Sequence, residues 1–139
     1  DGFFIGPYLT KMEAGEIMTE IRIPVPPAGT GYAYAKLKRK VGDFATAASA
    51  VTLRLQGGTV TDVTIALTNV GATVLRARAA EASLHGKAVN DASIAEAARL
   101  AMSICAPATD QRGDAQYRTA MAGEMTQRAL RTAATRATR

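Results

Sequence analysis

Apolar and polar positions alternate along two stretches near the start of the chain. In residues 16–23, EIMTEIRI, every second position is Ile or Thr. In residues 31–38, GYAYAKLK, tyrosines and lysines share one side of the pattern while alanines and a leucine share the other. A period of two is typical of a strand with one buried face. Both stretches are therefore predicted to be half-buried strands, separated by the proline- and glycine-rich residues 24–31.

Two further strands are predicted on either side of a Gly-Gly turn. Residues 44–56 begin with small residues and continue as a strand, and residues 59–70 are rich in Thr and Val, which favour pleated backbone. The glycines of QGGT at 56–59 suit a tight hairpin. Together with residues 31–38, these strands predict a three-stranded antiparallel meander.

The composition changes to alanine after residue 71, which indicates helices. Helices are predicted over residues 74–84, 90–106 and 115–134, and the last five residues are expected to fray. Asp91 or Ser93 is expected to cap the second helix, since Ser93 and Glu96 have capping-box spacing. The second and third helices have apolar stripes, formed by Ile94, Ala97, Ala98, Ala101 and Ile104 in one and by Met121, Met125, Ala129 and Ala133 in the other.

Strands followed by helices in separate blocks predict an α+β fold. We expect a three-stranded antiparallel sheet followed by a three-helix bundle packed on one face. The proline- and glycine-rich stretch places a domain boundary near residue 28, which separates residues 1–28 from residues 29–139. The opening sequence, DGFFIGPYLT, is typical of the middle of a fold, so we expect the sequence to be a piece of a larger subunit.

The composition excludes several classes of protein. Of 139 residues, 47% are hydrophobic and 21% are charged, which is typical of a globular domain rather than a disordered chain. No run approaches the roughly 18 apolar residues that a membrane helix needs, so no transmembrane segment is expected. One cysteine and one histidine leave no disulfide framework and no zinc site. Cys105 is interpreted as a buried small side chain and His85 as a helix C-terminal residue, so no catalytic residue and no metal ligand is predicted.

Positive charge is concentrated in one segment of a chain whose net charge is +5. From the residues alone, three interpretations stay open: a solvated loop, a patch that binds nucleic-acid phosphates, and a loop that faces an electron-rich cofactor. No nucleic-acid-binding motif accompanies the segment. The next residues favour the third interpretation, since Gly42 permits a tight turn near a ligand and Asp43 offers an acceptor. The segment consists of Lys36, Lys38, Arg39 and Lys40.

A second group of charges lies in the last third of the chain. Its arginines are interpreted as solvated side chains on a helix, or alternatively as a docking face for a partner subunit. Asp110 and Asp114 are expected to act as local caps or ion-pair partners. The arginines are Arg112, Arg118, Arg128 and Arg131.

Three segments of the chain, in order, resemble one protein family. GYAYAKLKRKVGDFATAASAVTL at 31–53 is similar to the start of the C-terminal domain of the FAD-binding, or medium, subunits of molybdenum hydroxylases, particularly those of the aerobic carbon monoxide dehydrogenase type. FFIGPYLTKMEAGEIMTEIRIP at 3–24 resembles the end of their preceding FAD domain. DQRGDAQYRTAMAGEMTQRAL at 110–130 resembles their final helix.

The resemblance implies a component of a three-subunit oxidoreductase. In such enzymes a large subunit holds a molybdenum–pterin cofactor and a small subunit holds two [2Fe–2S] clusters, and electrons pass through them to FAD in the medium subunit and on to an external acceptor. The implied partners are these two subunits and the N-terminal FAD-binding part of the same subunit, with no nucleic acid. The implied location is the cytoplasm, either free or at the inner face of the membrane.

The resemblance also implies which residues contact the flavin. Ile17 and Met18 would pack against the ring, Lys36 would be the nearby cation, and Asp43 would be a polar partner. The glycine-rich FAD fingerprints of the family do not occur in this sequence, and such loops supply the backbone N–H groups that hold a pyrophosphate. The alternative is therefore a non-enzymatic subunit-interaction module that binds no flavin by itself.

Overall fold

The main sheet of the computed structural model, which describes residues 2–138, has four antiparallel strands rather than the three predicted. Three of them match the predicted meander closely, and the turn at Gly57 and Gly58 has both glycines in the left-handed region, as expected of a tight hairpin. The strands, in their order across the sheet, are β3 (Thr30–Leu37), β4 (Ala47–Gln56), β5 (Thr59–Thr68) and β6 (Leu75–Arg76).

The fourth strand occupies residues that the sequence predicted as the start of a helix. Leu75 and Arg76 pair with the edge of β5, and helix α1 (Arg78–Leu84) begins only after them. The backbone groups of Ile65, further along the same edge of β5, also have hydrogen-bond partners. The Ile65 N–H donates to the Glu81 carboxylate at 2.9 Å, and the Ile65 carbonyl accepts from the Ala77 N–H at 2.9 Å. A strand of two residues is too short to show a period, so the helical composition hid it.

The predicted strand over residues 16–23 is wrong within the described structure. Residues 11–28 form neither helix nor strand, and Ile17, Ile21 and Ile23 are 83%, 75% and 83% exposed. A strand needs a neighbour for its backbone N–H and C=O groups, and residues 2–138 offer none to this segment. A small second sheet, which the sequence did not predict, pairs β1 (Phe4–Gly6) with β2 (Leu9–Thr10).

The core lies between one face of the main sheet and the helices. Ala33, Val51 and Ile65 lie opposite one another across β3, β4 and β5, and all three are buried. Helix α3 (Ala115–Ala137) packs across β3 and β4, α2 (Asp91–Met102) packs on α3, and α1 packs on α2. The α+β architecture, with three helices and an antiparallel sheet, is therefore confirmed.

Helix α3 approaches β3 so closely that a side chain has no room between them. A Cβ atom added to Gly31 would lie 1.8 Å from the carbonyl oxygen of Ala133 and 2.5 Å from the amide nitrogen of Ala137. The same contact orders the end of the helix, which runs to Ala137 instead of fraying after residue 134. Arg136 strengthens it by donating from Nη1 to the Tyr32 carbonyl at 2.7 Å.

The limits of α2 differ from the prediction at both ends. Its N-cap is Asn90 rather than Asp91 or Ser93: Asn90 Oδ1 accepts from the Ser93 N–H, and Ser93 Oγ accepts from the Asn90 N–H, both at 2.9 Å. Glu96 pairs with Arg99 instead. The helix ends at Met102, so Ile104 lies beyond it, 37% exposed, and does not belong to the apolar stripe.

Candidate functional site

Lys36 and Asp43, predicted as cofactor-binding residues, meet at one end of the main sheet. Lys36 lies at the end of β3. Asp43 lies in the connection to β4, of which residues 38–44 are called the basic loop. Lys36 Nζ donates to the backbone carbonyl of Asp43 at 2.9 Å. An ammonium group has three N–H donors, so this bond leaves the exposed Lys36 able to donate to a further acceptor.

The Asp43 carboxylate is held by an arginine that the sequence did not connect with it. Oδ1 of Asp43 accepts from the backbone N–H of Phe44 at 2.8 Å and from Nη2 of Arg112 at 3.1 Å. The Arg112 bond is the main cause that lowers the pKa of Asp43 below its usual value. Both bonds end on Oδ1, which leaves Oδ2 to accept from another group.

Arg112 belongs to the connection between α2 and α3, residues 103–114, which we call the return loop. Its guanidinium lies over the Phe44 ring, with 5.6 Å between Cζ and the ring centroid, and its Nη1 lies 3.5 Å from Asp110 Oδ2. Its backbone N–H donates to Asp110 Oδ1 at 2.7 Å, which lowers the pKa of that carboxyl. Arg39 adds a second tie by donating to the Gln111 carbonyl at 3.2 Å.

Arg118 lies beneath both loops, and the prediction that it belongs to a surface patch is wrong. The residue is 4% exposed and donates to three backbone carbonyls, at Thr46, Ala108 and Asn69. It also forms an ion pair of 3.2 Å with Asp110. Arg118 therefore fixes the root of the basic loop, the return loop and the end of β5 against one another.

The position of Arg118 on α3 was a signal that the sequence offered. Arg118 comes four residues before Ala122 and seven before Met125, so it continues the buried stripe of the helix. Arg128 and Arg131 are on the solvated side, as one of the two interpretations held, and pair with Glu124 at 2.7 Å and Asp91 at 3.1 Å. Both acidic residues of the return loop behave as expected, since Asp110 forms ion pairs and Asp114 caps α3 through the Tyr117 N–H.

Apolar side chains stand beside the charged groups of the basic loop. Val41 is 90% exposed and Phe44 is 63% exposed. Tyr34, on the same face of β3 as Lys36, is also exposed. The surface therefore combines a cation and a carboxylate with flat apolar groups.

Ile17 and Met18, the other two predicted cofactor-binding residues, lie on a different segment. Both are exposed, and the hydrogen bonds found within residues 2–27 join residues of that segment to one another. None of these bonds connects Ile17 or Met18 with Lys36 or Asp43. The structure thus brings two of the four predicted residues together and leaves two apart.

The remaining candidates have structural roles. Burial raises the pKa of the Cys105 thiol to about 11, and its Sγ lies 3.4 Å from the Ala101 carbonyl. His85 is exposed at the C-terminal cap of α1, as predicted. Within residues 2–138, no three His, Cys, Asp or Glu side chains are grouped closely enough to hold a metal ion, and no helix is both long and apolar enough to cross a membrane.

The fold and the sequence together define a class of flavoprotein domain. Residues 32–133 match the family described as the CO dehydrogenase flavoprotein C-terminal domain. The chain belongs to that family. The chain is also 53% identical, over 133 residues, to the carbon monoxide dehydrogenase medium chain of Hydrogenophaga pseudoflava, and 52% identical, over 135 residues, to that of Afipia carboxidovorans.

Solved structures show the same fold. The carbon monoxide dehydrogenase of Hydrogenophaga pseudoflava, in a form that lacks the Mo-pyranopterin moiety of the molybdenum cofactor, superimposes with a TM-score of 0.95 at 58% identity. Quinoline 2-oxidoreductase from Pseudomonas putida 86 gives a TM-score of 0.91 at 33% identity. The two structural matches cover 97% and 99% of this chain, but only 47% and 48% of the matched chains in those structures. The two sequence matches likewise cover 46% and 47% of the medium chains of Hydrogenophaga pseudoflava and Afipia carboxidovorans. The chain thus spans about half the length of its relatives.

Proposed function

We propose that this chain acts as the C-terminal part of the FAD-containing subunit of a molybdenum hydroxylase of the carbon monoxide dehydrogenase type. The observation that carries the proposal is the identity above 50% to two carbon monoxide dehydrogenase medium chains over nearly the whole sequence. The chain would help to cover the flavin and to dock the other parts of the enzyme. It is a component of an oxidoreductase and contributes no catalytic residue of its own.

The proposal assigns the two parts of the chain to different domains. Residues 1–28 form the end of the preceding FAD-binding domain, and residues 29–139 form the C-terminal domain. The exposed isoleucines of residues 16–23 support this division, since an alternating apolar segment is stable when it packs on further polypeptide. The partners would be a large molybdenum–pterin subunit, a small subunit with [2Fe–2S] clusters, and the N-terminal FAD-binding part. The complex would work in the cytoplasm, either free or at the inner face of the membrane.

The described residues fit one part of FAD. The Lys36 ammonium, Asp43 Oδ2 and the exposed side chains of Val41 and Phe44 offer a donor, an acceptor and apolar surface, which suit the edge of a ring that has both N–H and C=O groups. The sequence has no glycine-rich loop for a pyrophosphate. The chain therefore fits the ring of FAD and relies on other polypeptide for the phosphates.

The proposed contacts are Lys36 and Asp43 on the polar edge of the ring, with Ile17 and Met18 packing on it from the preceding domain. When bound, FAD supplies the acceptor for electrons that leave the iron–sulfur clusters. Lys36 acts by its charge: an ammonium near the ring stabilises the negative charge gained on reduction, and so raises the flavin potential. Its bond to the Asp43 carbonyl fixes where that charge lies.

The test is the flavin midpoint potential of the assembled enzyme, measured by spectroelectrochemical titration. Lys36→Met keeps an unbranched side chain of similar length and removes its charge, so we expect a lower potential. Lys87→Met is the matched control, because this exposed lysine lies after α1, away from the basic loop, and its loss should leave the potential unchanged. An unchanged potential in the Lys36 variant would exclude the role of Lys36 and favour a module that only joins subunits.

A further inference from the structure

We propose that Arg112 is a positioning residue of the flavin site, which it serves by bridging Asp43 of the basic loop and Asp110 of the return loop. This inference rests on the proposed function and extends it to a residue 69 positions away from Asp43 in the sequence. Arg112 itself points to protein groups on several sides, so it acts through Asp43 rather than by touching the ring.

The Arg112 guanidinium contacts other protein groups through two of its nitrogen atoms and through its plane. Nη2 bonds to Asp43, Nη1 faces Asp110, and the plane lies over the Phe44 ring. Its Nε is buried and has no hydrogen-bond partner, so the side chain accepts a desolvation cost to occupy this position. A solvated surface arginine would not adopt such an arrangement, which indicates that the position of the bridge matters.

The basic loop is closed on itself by a backbone hydrogen bond from the Asp43 N–H to the Lys40 carbonyl at 3.2 Å, but its position against the rest of the protein depends on ties to other segments. Gly42 has a φ of 83°, which few other residues adopt, and the loop has exposed cations at Lys38 and Lys40 that repel each other. Within the described structure, the side-chain bonds that fasten this loop to the return loop are those of Arg39 to the Gln111 carbonyl and of Arg112 to Asp43. Arg112 is thus the tie that ends on a proposed flavin-contacting side chain.

Two consequences follow for the proposed flavin contacts. Because Arg112 holds Asp43 by Oδ1, the free Oδ2 keeps a fixed direction. Because Lys36 is bonded to the backbone of the same residue, the position of its ammonium also depends on the Asp43 backbone staying in place. Arg112 also compensates the Asp43 charge, which would otherwise oppose reduction of a nearby ring.

The experiment compares flavin midpoint potentials in the assembled enzyme for Arg112→Gln, Arg112→Lys and each of them combined with Asp43→Asn. We expect Arg112→Gln to lower the potential, because Asp43 then keeps an uncompensated negative charge. Arg112→Lys should recover only part of this loss, because an ammonium restores a positive charge but lacks the planar fork that reaches two carboxylates at once. In the Asp43→Asn background, most of the drop should disappear.

Several results would overturn the proposal. If the flavin midpoint potential of the Arg112→Lys variant equals that of the wild type, the positive charge at position 112 alone would explain the effect of Arg112. A drop that is equally large with and without Asp43→Asn would mean that Arg112 acts by another route. A shift in Lys36→Met without one in Arg112→Gln would reject this inference alone, whereas no shift in either variant would also reject the proposed contact of Lys36 with the flavin. The variants should fold, since both carboxylates freed by the substitution reach solvent.

Discussion

At the scale of single residues, Arg118 is the charged side chain of α3 that is buried. We predict that Arg118→Met lowers the free energy of unfolding by about 3 kcal/mol, because it leaves three backbone carbonyls and the Asp110 carboxylate without their buried donor. Urea denaturation of the chain measures the loss. A loss below about 1 kcal/mol would show that water or a rearranged loop satisfies these carbonyls as well as Arg118 does.

Arg128 provides the matched control on the same helix. Its side chain is 65% exposed and its partner is Glu124, one turn earlier. Exposed pairs of this kind contribute little, so Arg128→Met should change the free energy of unfolding by less than about 0.5 kcal/mol. The difference between the two arginines would then come from burial, because charge and helix are the same.

Proximity could be predicted from the sequence for residues that are close together along the chain. Lys36 and Asp43 are seven residues apart and could be placed near one another from the sequence. The contribution of Arg112 could not be predicted, because it depends on how the return loop folds back against the basic loop. Arg118 was assigned to the surface because arginine is usually exposed, although its helical position continued the apolar stripe.

At the scale of secondary-structure elements, the contact between α3 and β3 depends on a residue without a side chain. We predict that Gly31→Ala lowers the free energy of unfolding by about 3 kcal/mol, because the added Cβ meets the backbone of Ala133, which cannot move without the helix. Thermal or urea unfolding measures the effect. An unfolding free energy close to that of the wild type would show that α3 can shift outward at little cost.

Gly123 allows a comparison in which the obstacle can move. A Cβ at Gly123 would lie 2.6 Å from Sδ of Met102, which is the flexible end of a side chain. Alanine also favours a helix over glycine by about 1 kcal/mol, which offsets the cost of displacing Met102. Gly123→Ala should therefore leave stability nearly unchanged, in contrast to Gly31→Ala.

The elements that the sequence predicted well are those with long, regular patterns. Strands β3, β4 and β5 and helices α2 and α3 each extend over at least eight residues, and each was found within a few residues of its limits. The two-residue strand β6 was hidden inside an alanine-rich stretch. Residues 16–23 have the pattern of a strand. Such a pattern indicates which face would be buried, but it does not indicate which neighbouring strand or helix would cover that face.

At the scale of the whole molecule, the family assignment and the missing phosphate loops lead to one prediction. The purified chain, incubated with FAD and then desalted, should retain no visible flavin absorbance. Adding the N-terminal half of the subunit should restore the yellow colour, because that half would supply the backbone N–H groups for the pyrophosphate. Stoichiometric flavin on the chain alone would show that the groups around Lys36 and Asp43 are sufficient by themselves.

The overall architecture could be predicted from the order of strand and helix patterns, and the family from three quoted segments that resemble it. The placement of residues 2–27 relative to the basic loop could not, because an apolar pattern does not indicate which surface it packs on. Ile17 and Met18 are apolar and exposed, so their pattern indicated burial without indicating against what. Their assignment to the flavin stays a prediction.

The packing of α3 on β3 also determines when this domain can fold during its synthesis. The bond from Arg136 to the Tyr32 carbonyl joins residues 104 positions apart, and the buried face of the sheet is covered by this late helix. A ribosome that has already made the β4–β5 hairpin therefore holds a sheet whose apolar face is still open. Completion of the core must wait until α3 emerges, and contacts between such distant residues are slow to form. During synthesis, the apolar face of the sheet is therefore accessible to chaperones until α3 packs on it.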